Sequence, residues 1–381
     1  MESATVEVKT ETNTATRPSG KPKIAYFSME IGIDEHIPTY SGGLGILAGD
    51  TLKSCADLNV PIVGVTLLSE KGYFYQEIDT DGNQIELPYN FTMNDFLHLL
   101  PCKTCVKIEN RDVTIRIWYY PVQGISGYIV PVFFLDTNLE ENSPYDREIT
   151  KYLYGGDNKY RLAQEIILGI GGVRAIDSLG YRTIDKYHMN EGHAALGTLE
   201  LYDQLKDVEK VRNQCVFTTH TPVAAGHDQF DLSLAKSMIG DLIPDSLCHE
   251  FTFENRLNMT RLALFFSHYV NGVAKKHGEV SRLMFPGYAI DSITNGVHTP
   301  TWVSEPFQRI FDKYMPGWHS DPYILRGAFG IDKTEIWAAH MEAKKKLIDF
   351  VNNRYNVGMN YDHFTIGFAR RQTAYKRPEL L

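Results

Sequence analysis

Ile24-Ala25-Tyr26-Phe27-Ser28-Met29-Glu30 is an apolar run that ends polar, and Ser41-Gly42-Gly43-Leu44-Gly45-Ile46-Leu47-Ala48-Gly49-Asp50-Thr51-Leu52-Lys53 follows ten residues later. The first stretch reads as a buried strand. The second reads as a glycine loop opening a helix with its apolar positions on one face. Strand, glycine loop and helix in that order begin an α/β fold. Such a loop is also an anion site in principle: glycine lets the backbone approach closely, and the first-turn amides and the helix dipole favour negative charge. Taken alone, the same glycines serve equally well as an ordinary turn.

Working outward, the alternation continues. Pro61 to Leu68 is a short apolar run suited to a buried parallel strand. Val113–Val122 and Tyr128–Leu135 read as a hairpin inserted in the sheet order, and Tyr160–Leu179 as a helix. In that helix Gly169, Gly171 and Gly172 either weaken it or permit close packing. Ile184–Met189, Gln214–Thr219 and Tyr288–Ile293 are further strands, with a helix over Ala194–Leu205. Strands alternating with helices predict a mostly parallel sheet whose ligands gather beyond the carboxyl ends of its strands. After Trp302 the pattern is helical until Phe364-Thr365-Ile366-Gly367-Phe368-Ala369, which reads as the first strand of a second α/β domain broken off by the end of the sequence. The expected organisation is a disordered tail over 1–22, an N-terminal domain over 23–297 and an incomplete second domain over 298–381.

Composition narrows the function. The 381 residues carry a formal charge of −9, which argues against general affinity for nucleic acid or acidic membranes. No apolar run reaches spanning length and no apolar signal core opens the chain, so the expected compartment is the cytoplasm. Five scattered cysteines give no disulfide framework. The pair Cys102 and Cys105 lacks the second ligand pair of a zinc site and the following helix of a redox site, so no metal is expected.

Polar clusters end several strands. Asn190-Glu191-Gly192-His193 offers a carboxylate and an imidazole for sugar hydroxyls, or simply a helix cap with a satisfied histidine. Thr218-Thr219-His220-Thr221-Pro222 places a histidine where it can orient a ligand or move a proton, or merely make a polar turn. Thr294-Asn295-Gly296 is a third such turn. Arg370, Arg371, Lys376 and Arg377 follow the last apolar run, where cations suit a phosphate.

Together these segments resemble the α-glucan (glycogen, starch and maltodextrin) phosphorylases, from about Lys23 to Leu381. The resemblance rests on Tyr26-Phe27-Ser28-Met29-Glu30, Gly42-Gly43-Leu44-Gly45, Arg161-Leu162-Ala163-Gln164-Glu165 and Asn190 to His193. It continues in Thr219-His220-Thr221, Val270-Asn271-Gly272-Val273-Ala274 with His277, Thr294-Asn295-Gly296, and Arg370-Arg371 with Tyr375-Lys376-Arg377. It implies a GT-B architecture of two Rossmann-like domains and reversible, retaining phosphorolysis of α-1,4-glucans to glucose 1-phosphate. The implied cofactor is pyridoxal phosphate, acting through its 5′-phosphate, and a homodimer is a further expectation.

Carried onto this sequence, the amides of Gly42 and Gly43 would face phosphate and Leu44 would contact glucose. His220 and Asn295 would hold the 6-hydroxyl, with the His220 carbonyl against positive charge developing at the anomeric carbon. Arg371 and Lys376 would bind the attacking phosphate, and Gly43, Arg370 and Lys376 the cofactor phosphate. Asn158, after Asp157, would contact the 2-hydroxyl, and Glu191 and His193 would lie towards the glucan acceptor. The gate-loop stretch from Asn158 to Arg161 is much shorter than in the animal and plant members, and the regulatory N-terminal region of the animal enzymes has no counterpart. The Gly-Thr-containing motif with the cofactor lysine is not found in the 381 residues. Two other readings compete: a nucleotide-sugar-dependent glucan synthase of the same architecture, and a non-catalytic glucan-binding fragment. The synthases carry a lysine two positions before the first loop glycine, where this chain has Tyr40.

Overall fold

A computed structural model describes residues 22–89, 91–221, 227–370 and 377–380. The tail expected over 1–22 lies, but for Pro22, outside the described residues. The chain divides into two compact units, one running to His298 and the other beginning at Thr299.

The first unit is built on a nine-stranded sheet. Its strands are β1 (Ile24–Ser28), β2 (Ile62–Leu67), β5 (His98–Ile108), β6 (Arg111–Gln123), β7 (Ile129–Asp136), β8 (Lys186–Asn190), β9 (Cys215–Thr219), β13 (Tyr269–Gly272) and β14 (Asp291–Ser292). The remaining strands, β3 (Tyr75–Ile78) with β4 (Gln84–Leu87) and β10 (Gln229–Asp231) with β11 (Thr252–Phe253) and β12 (Arg256–Asn258), form two small antiparallel sheets. The spatial order of the large sheet is β14-β13-β9-β8-β1-β2-β7-β6-β5, parallel throughout except for β6. This is the α/β architecture expected for a GT-B-like, Rossmann-type domain. The chain leaves β1 for one side of the sheet and returns through β8 to the other, so the strand order reverses between β1 and β8. Open α/β sheets bind ligands in the crevice at such a reversal.

Alternation along β1 explains the two layers. Ala25 and Phe27 point into one core with Val65, Ile166 and Phe217, and Tyr26 points into the other with Leu52, Trp118 and Phe134. Helix α1 (Gly43–Asp57) covers the second face. It packs so tightly on the chain after β1 that a Cβ on Gly49 would lie 1.9 Å from the Gly32 carbonyl oxygen.

The hairpin expected over Val113–Leu135 is β6 and β7, antiparallel. Between β5 and β6 the chain turns at Glu109 and Asn110, both at positive φ (50° and 62°). The helix expected over Tyr160–Leu179 is three pieces: α2 (Asn158–Ile166), a π-helical turn at Ile167–Gly171, and α3 (Gly172–Ser178). Its glycines serve close packing, since a Cβ on Gly169 would lie 2.6 Å from the Gly197 amide nitrogen. That amide belongs to α4 (Leu196–Leu205). Of Tyr288–Ile293 only Asp291 and Ser292 pair as a strand.

The second unit is helical, with Glu305–Tyr314 and Lys333–Tyr355 as its longest helices and a core of Ile310, Met315, Trp318, Ile331 and Ala339. The strand expected over Phe364–Ala369 does not form. These residues are irregular, with Phe364 91% exposed. No strand lies in this unit among the described residues for them to pair with, and an apolar run becomes a strand only against a partner.

Candidate functional site

A row of polar side chains ends four adjacent parallel strands. Ser28 of β1 is in register with Asn190 of β8, Asn190 with Thr218 of β9, and Thr218 with Asn271 of β13. The row is hydrogen bonded, and its bonds fix proton positions. The Ser28 hydroxyl donates to the Glu30 carbonyl at 2.7 Å, so its oxygen accepts the Asn190 amide at 3.0 Å. Asn190 therefore turns Oδ1 toward His220 Nε2 at 2.5 Å, and that nitrogen carries the proton. Thr218 donates to Asn271 Oδ1 at 2.9 Å, which makes His188 Nε2 the donor in its 2.8 Å bond to the same hydroxyl. Both imidazoles are neutral. Burial, with His277 and His188 nearby, pushes His220 down to about 3, and burial pushes His188 down to about 4.

Glu191 follows β8 with φ at 70°, a conformation L-residues rarely hold. Its carboxylate accepts the amides of His220 at 2.7 Å and Gly192 at 3.2 Å, and the Thr221 hydroxyl at 3.4 Å. It therefore ties the end of β8 to the turn after β9. Burial pushes it up to about 7 against those donors.

On the β1 side, the glycine loop has no side-chain cap of its own. Glu30 Oε2 accepts the amides of Ser41 at 2.6 Å and Gly42 at 3.2 Å, and Glu30 Oε1 accepts the Tyr154 hydroxyl at 2.8 Å. Gly45 is required here, because a Cβ on it would lie 2.6 Å from Tyr40 Cβ and 3.0 Å from Glu30 Oε2. The Gly43 side of the helix start is open: a Cβ there would meet nothing within 4 Å.

Between these clusters lies a buried ionic group. Arg161 on α2 donates to Asp228 at 2.8 Å, sits 3.2 Å from Glu165, and lies 4.7 Å over the Tyr154 ring. His193 Nε2 is 3.6 Å from the same Asp228 oxygen, and its ring meets Tyr154 edge-on. Burial and the Arg161 charge push His193 down to about 3. Burial and the Asp228 charge push Glu165 well above the usual carboxylate range, although Arg161 opposes them. Arg161 holds Asp228 below that range although burial opposes it. Ser41 Oγ, Arg161 Nη1, His193 Nδ1 and Thr219 Oγ1 are buried without a hydrogen-bond partner among the described residues, the condition of groups that a ligand or water can satisfy.

No family model matches the chain. Individual relatives do. Maltodextrin phosphorylase of Thermococcus litoralis is 35% identical over 96% of this chain and 48% of its own length. Glycogen phosphorylase of Mycobacterium tuberculosis is 34% identical over 94% of this chain and 48% of its own, and that of Aquifex aeolicus 30% over 95% and 59%. Identity of 30–35% over about 95% of the chain to proteins so named supports the α-glucan phosphorylase family for the residues it spans. The chain spans about half the length of these relatives.

Among the residues expected to serve a phosphorylase, Gly42, Glu191, His193 and His220 stand within the clusters just described, and Gly43 and Leu44 open α1 beside them. Gly42 differs from its expected role: its amide is taken by Glu30 rather than left to face phosphate. Asn158 begins α2 and is exposed, after Asp157, whose side chain caps that helix. Asn295 is exposed and held through its amide by the Val273 carbonyl at 3.1 Å. Arg370 is exposed in the second unit, and Arg371 and Lys376 lie outside the described residues.

Residue by residue, the sequence reading gave no role to Ser28, Glu30, Tyr154, Arg161, Glu165, His188 or Asp228. One signal was available. Arg161 and Glu165 stand four apart on a helix whose intervening Leu162, Ala163 and Gln164 are all buried, and charges so placed seldom lack a purpose.

Proposed function

We propose that the protein carries out reversible phosphorolysis of α-1,4-glucans, with inorganic phosphate, the glucan and glucose 1-phosphate as its small-molecule partners. The observation that carries this reading is the alignment of about 95% of the chain with maltodextrin and glycogen phosphorylases at 30–35% identity. In the reaction, a phosphate oxygen bonds to the anomeric carbon, the glycosidic C–O bond breaks, and a proton passes to the departing 4-oxygen. Anomeric configuration is retained.

The chemistry of the site supports this assignment. A neutral His220 donates from Nε2 to Asn190, and in this reading its carbonyl oxygen, which His277 also approaches, and its Nδ1 meet the sugar. A carbonyl dipole aimed at a carbon that turns positive only in the transition state lowers the barrier without tightening ground-state binding. Gly43 and Leu44 at the helix start suit phosphate and glucose, with Arg371 and Lys376 holding the attacking phosphate. Asn295 would meet the 6-hydroxyl, Asn158 the 2-hydroxyl, and Glu191 with His193 the acceptor side.

The cofactor of this reading is pyridoxal phosphate, which supplies proton transfer through its phosphate when bound. Gly43, with its open side, and Arg370, an exposed guanidinium, are suited to a phosphate group, and Lys376 completes the expected set. A cytoplasmic, homodimeric protein is part of the same proposal. No described helix is long and apolar enough to cross a membrane.

The test is release of glucose 1-phosphate from maltoheptaose by protein expressed from its full coding frame, with pyridoxal phosphate present. Product should appear only when inorganic phosphate is added. Glucose release without phosphate, or glucosyl transfer from a nucleotide sugar instead, would overturn the reading.

A further inference from the structure

We propose that Glu30 is a positioning residue: through Tyr154 it ties the glycine loop to the turn at Gly155–Asn158, so that the two move as one. The two oxygens of the buried Glu30 carboxylate face different segments. Oε2 holds the Ser41 and Gly42 amides, at 2.6 and 3.2 Å, and Oε1 holds the hydroxyl of Tyr154, 124 residues away, at 2.8 Å. A carboxylate at the start of a helix stands where a bound anion would and is favoured by the helix dipole. Space for it exists only because residue 45 is glycine.

Tyr154 is fixed from several sides. Its backbone has φ at 59°, the guanidinium of Arg161 lies 4.7 Å over its ring, and His193 meets the ring edge-on. The turn that follows is equally determined. Gly156 has φ at 78°, a Cβ there would lie 2.6 Å from Tyr160 Cβ, and Asp157 caps α2 at the Tyr160 amide. A rigid turn is thus joined through one phenol and one carboxylate to a glycine loop that has no cap of its own. With Gly42 committed to Glu30, the amides opening α1 at Gly43 and Leu44 are the ones left to meet an anionic substrate. This last consequence rests on the phosphorolysis reading, but the link itself does not.

Amide hydrogen exchange on the whole chain tests the link. Tyr154→Phe removes only the hydroxyl and keeps the ring under Arg161. It should speed exchange at Ser41 and Gly42 about tenfold, although their amides bond to Glu30 and not to the Tyr154 hydroxyl, with β1 and β8 unchanged. Glu30→Ala should do the same at the loop and also loosen Gly155–Asn158. Glu30→Gln should stay near wild type, because its amide oxygen can accept the loop amides while its NH2 donates to the Tyr154 oxygen. Wild-type exchange at Ser41 and Gly42 in Tyr154→Phe would overturn the proposal.

Kinetics adds a readout that a merely structural role would not move. Tyr154→Phe and Glu30→Ala should raise the KM for inorganic phosphate about tenfold at unchanged glucan KM, with Glu30→Gln restoring it. Absence of phosphorolysis in the wild-type protein would refute the functional reading and leave the exchange result to decide the link.

Discussion

The two units of the chain bury their apolar residues to very different degrees. The first has two continuous cores, one on each face of a nine-stranded sheet, drawn from Ala25 to Ile290 on one side and from Tyr26 to Phe134 on the other. The second has a small core of Ile310, Met315, Trp318, Ile331 and Ala339, with Ile348 buried besides, and leaves Phe329 fully exposed and Phe364 91% exposed. Both units carry helices with good local signals. What separates them is that, among the described residues, only the first unit has a sheet to receive the apolar faces, and this governs where the protein can hold a site in fixed geometry.

The largest expected effect of that contrast is in amide exchange. Central strands β1, β2, β8 and β9 should exchange at least about a hundredfold more slowly than the helix Lys333–Tyr355 and the irregular stretch after it. Uniformly slow exchange across both units of a monomer would remove the distinction. Next comes a pair of substitutions. Phe217→Ala in the first core should cost about 3–5 kcal/mol in a denaturant titration. Phe364→Ala should stay within about 0.5 kcal/mol. Equal losses at the two positions would mean that Phe364 is buried in solution.

A smaller effect concerns acid. A buried histidine held below its ordinary value binds no proton in the folded state where the unfolded chain does. Its stabilisation is therefore complete above about pH 6.5 and is lost as pH falls toward the folded value. For His188 that window runs from about 6.5 down to about 4. Replacing His188 with asparagine should make the acid side of the stability curve shallower by about 1.4 kcal/mol per pH unit in that window. Glu191, held up near 7, acts with the opposite sign: its folded form keeps a proton that the unfolded chain gives up above about 4.5. Glu191→Gln should therefore make acid destabilisation steeper, and parallel curves for both variants would show that neither burial shifts the titration.

Much of the first unit was legible because period-two alternation and helix periodicity are local. Tyr26 and Phe27 announce two faces, and the loop Ser41–Gly45 announces a helix start. The ends of the sheet were legible too, since polar residues closing apolar strands point to the carboxyl edge. The π-helical turn at Ile167–Gly171 was not: it accompanies a close approach of Gly169 to Gly197, which no local pattern carries. The ion group was hidden for the same reason: Arg161 and Asp228 are 67 residues apart. Phe364–Ala369 misled in the other direction, having the composition of a strand and, among the described residues, no neighbouring strand to pair with.

The central claim is that the polar row at the strand ends is where the reaction occurs. His220→Asn, measured for glucose 1-phosphate formation and thermal midpoint on the same preparation of protein from the full coding frame, tests it most directly. Turnover should fall at least about tenfold, with a smaller change in glucan affinity and a midpoint within about 2 °C of wild type. A clear drop in midpoint with normal turnover per folded molecule would make His220 a core histidine and contradict the account.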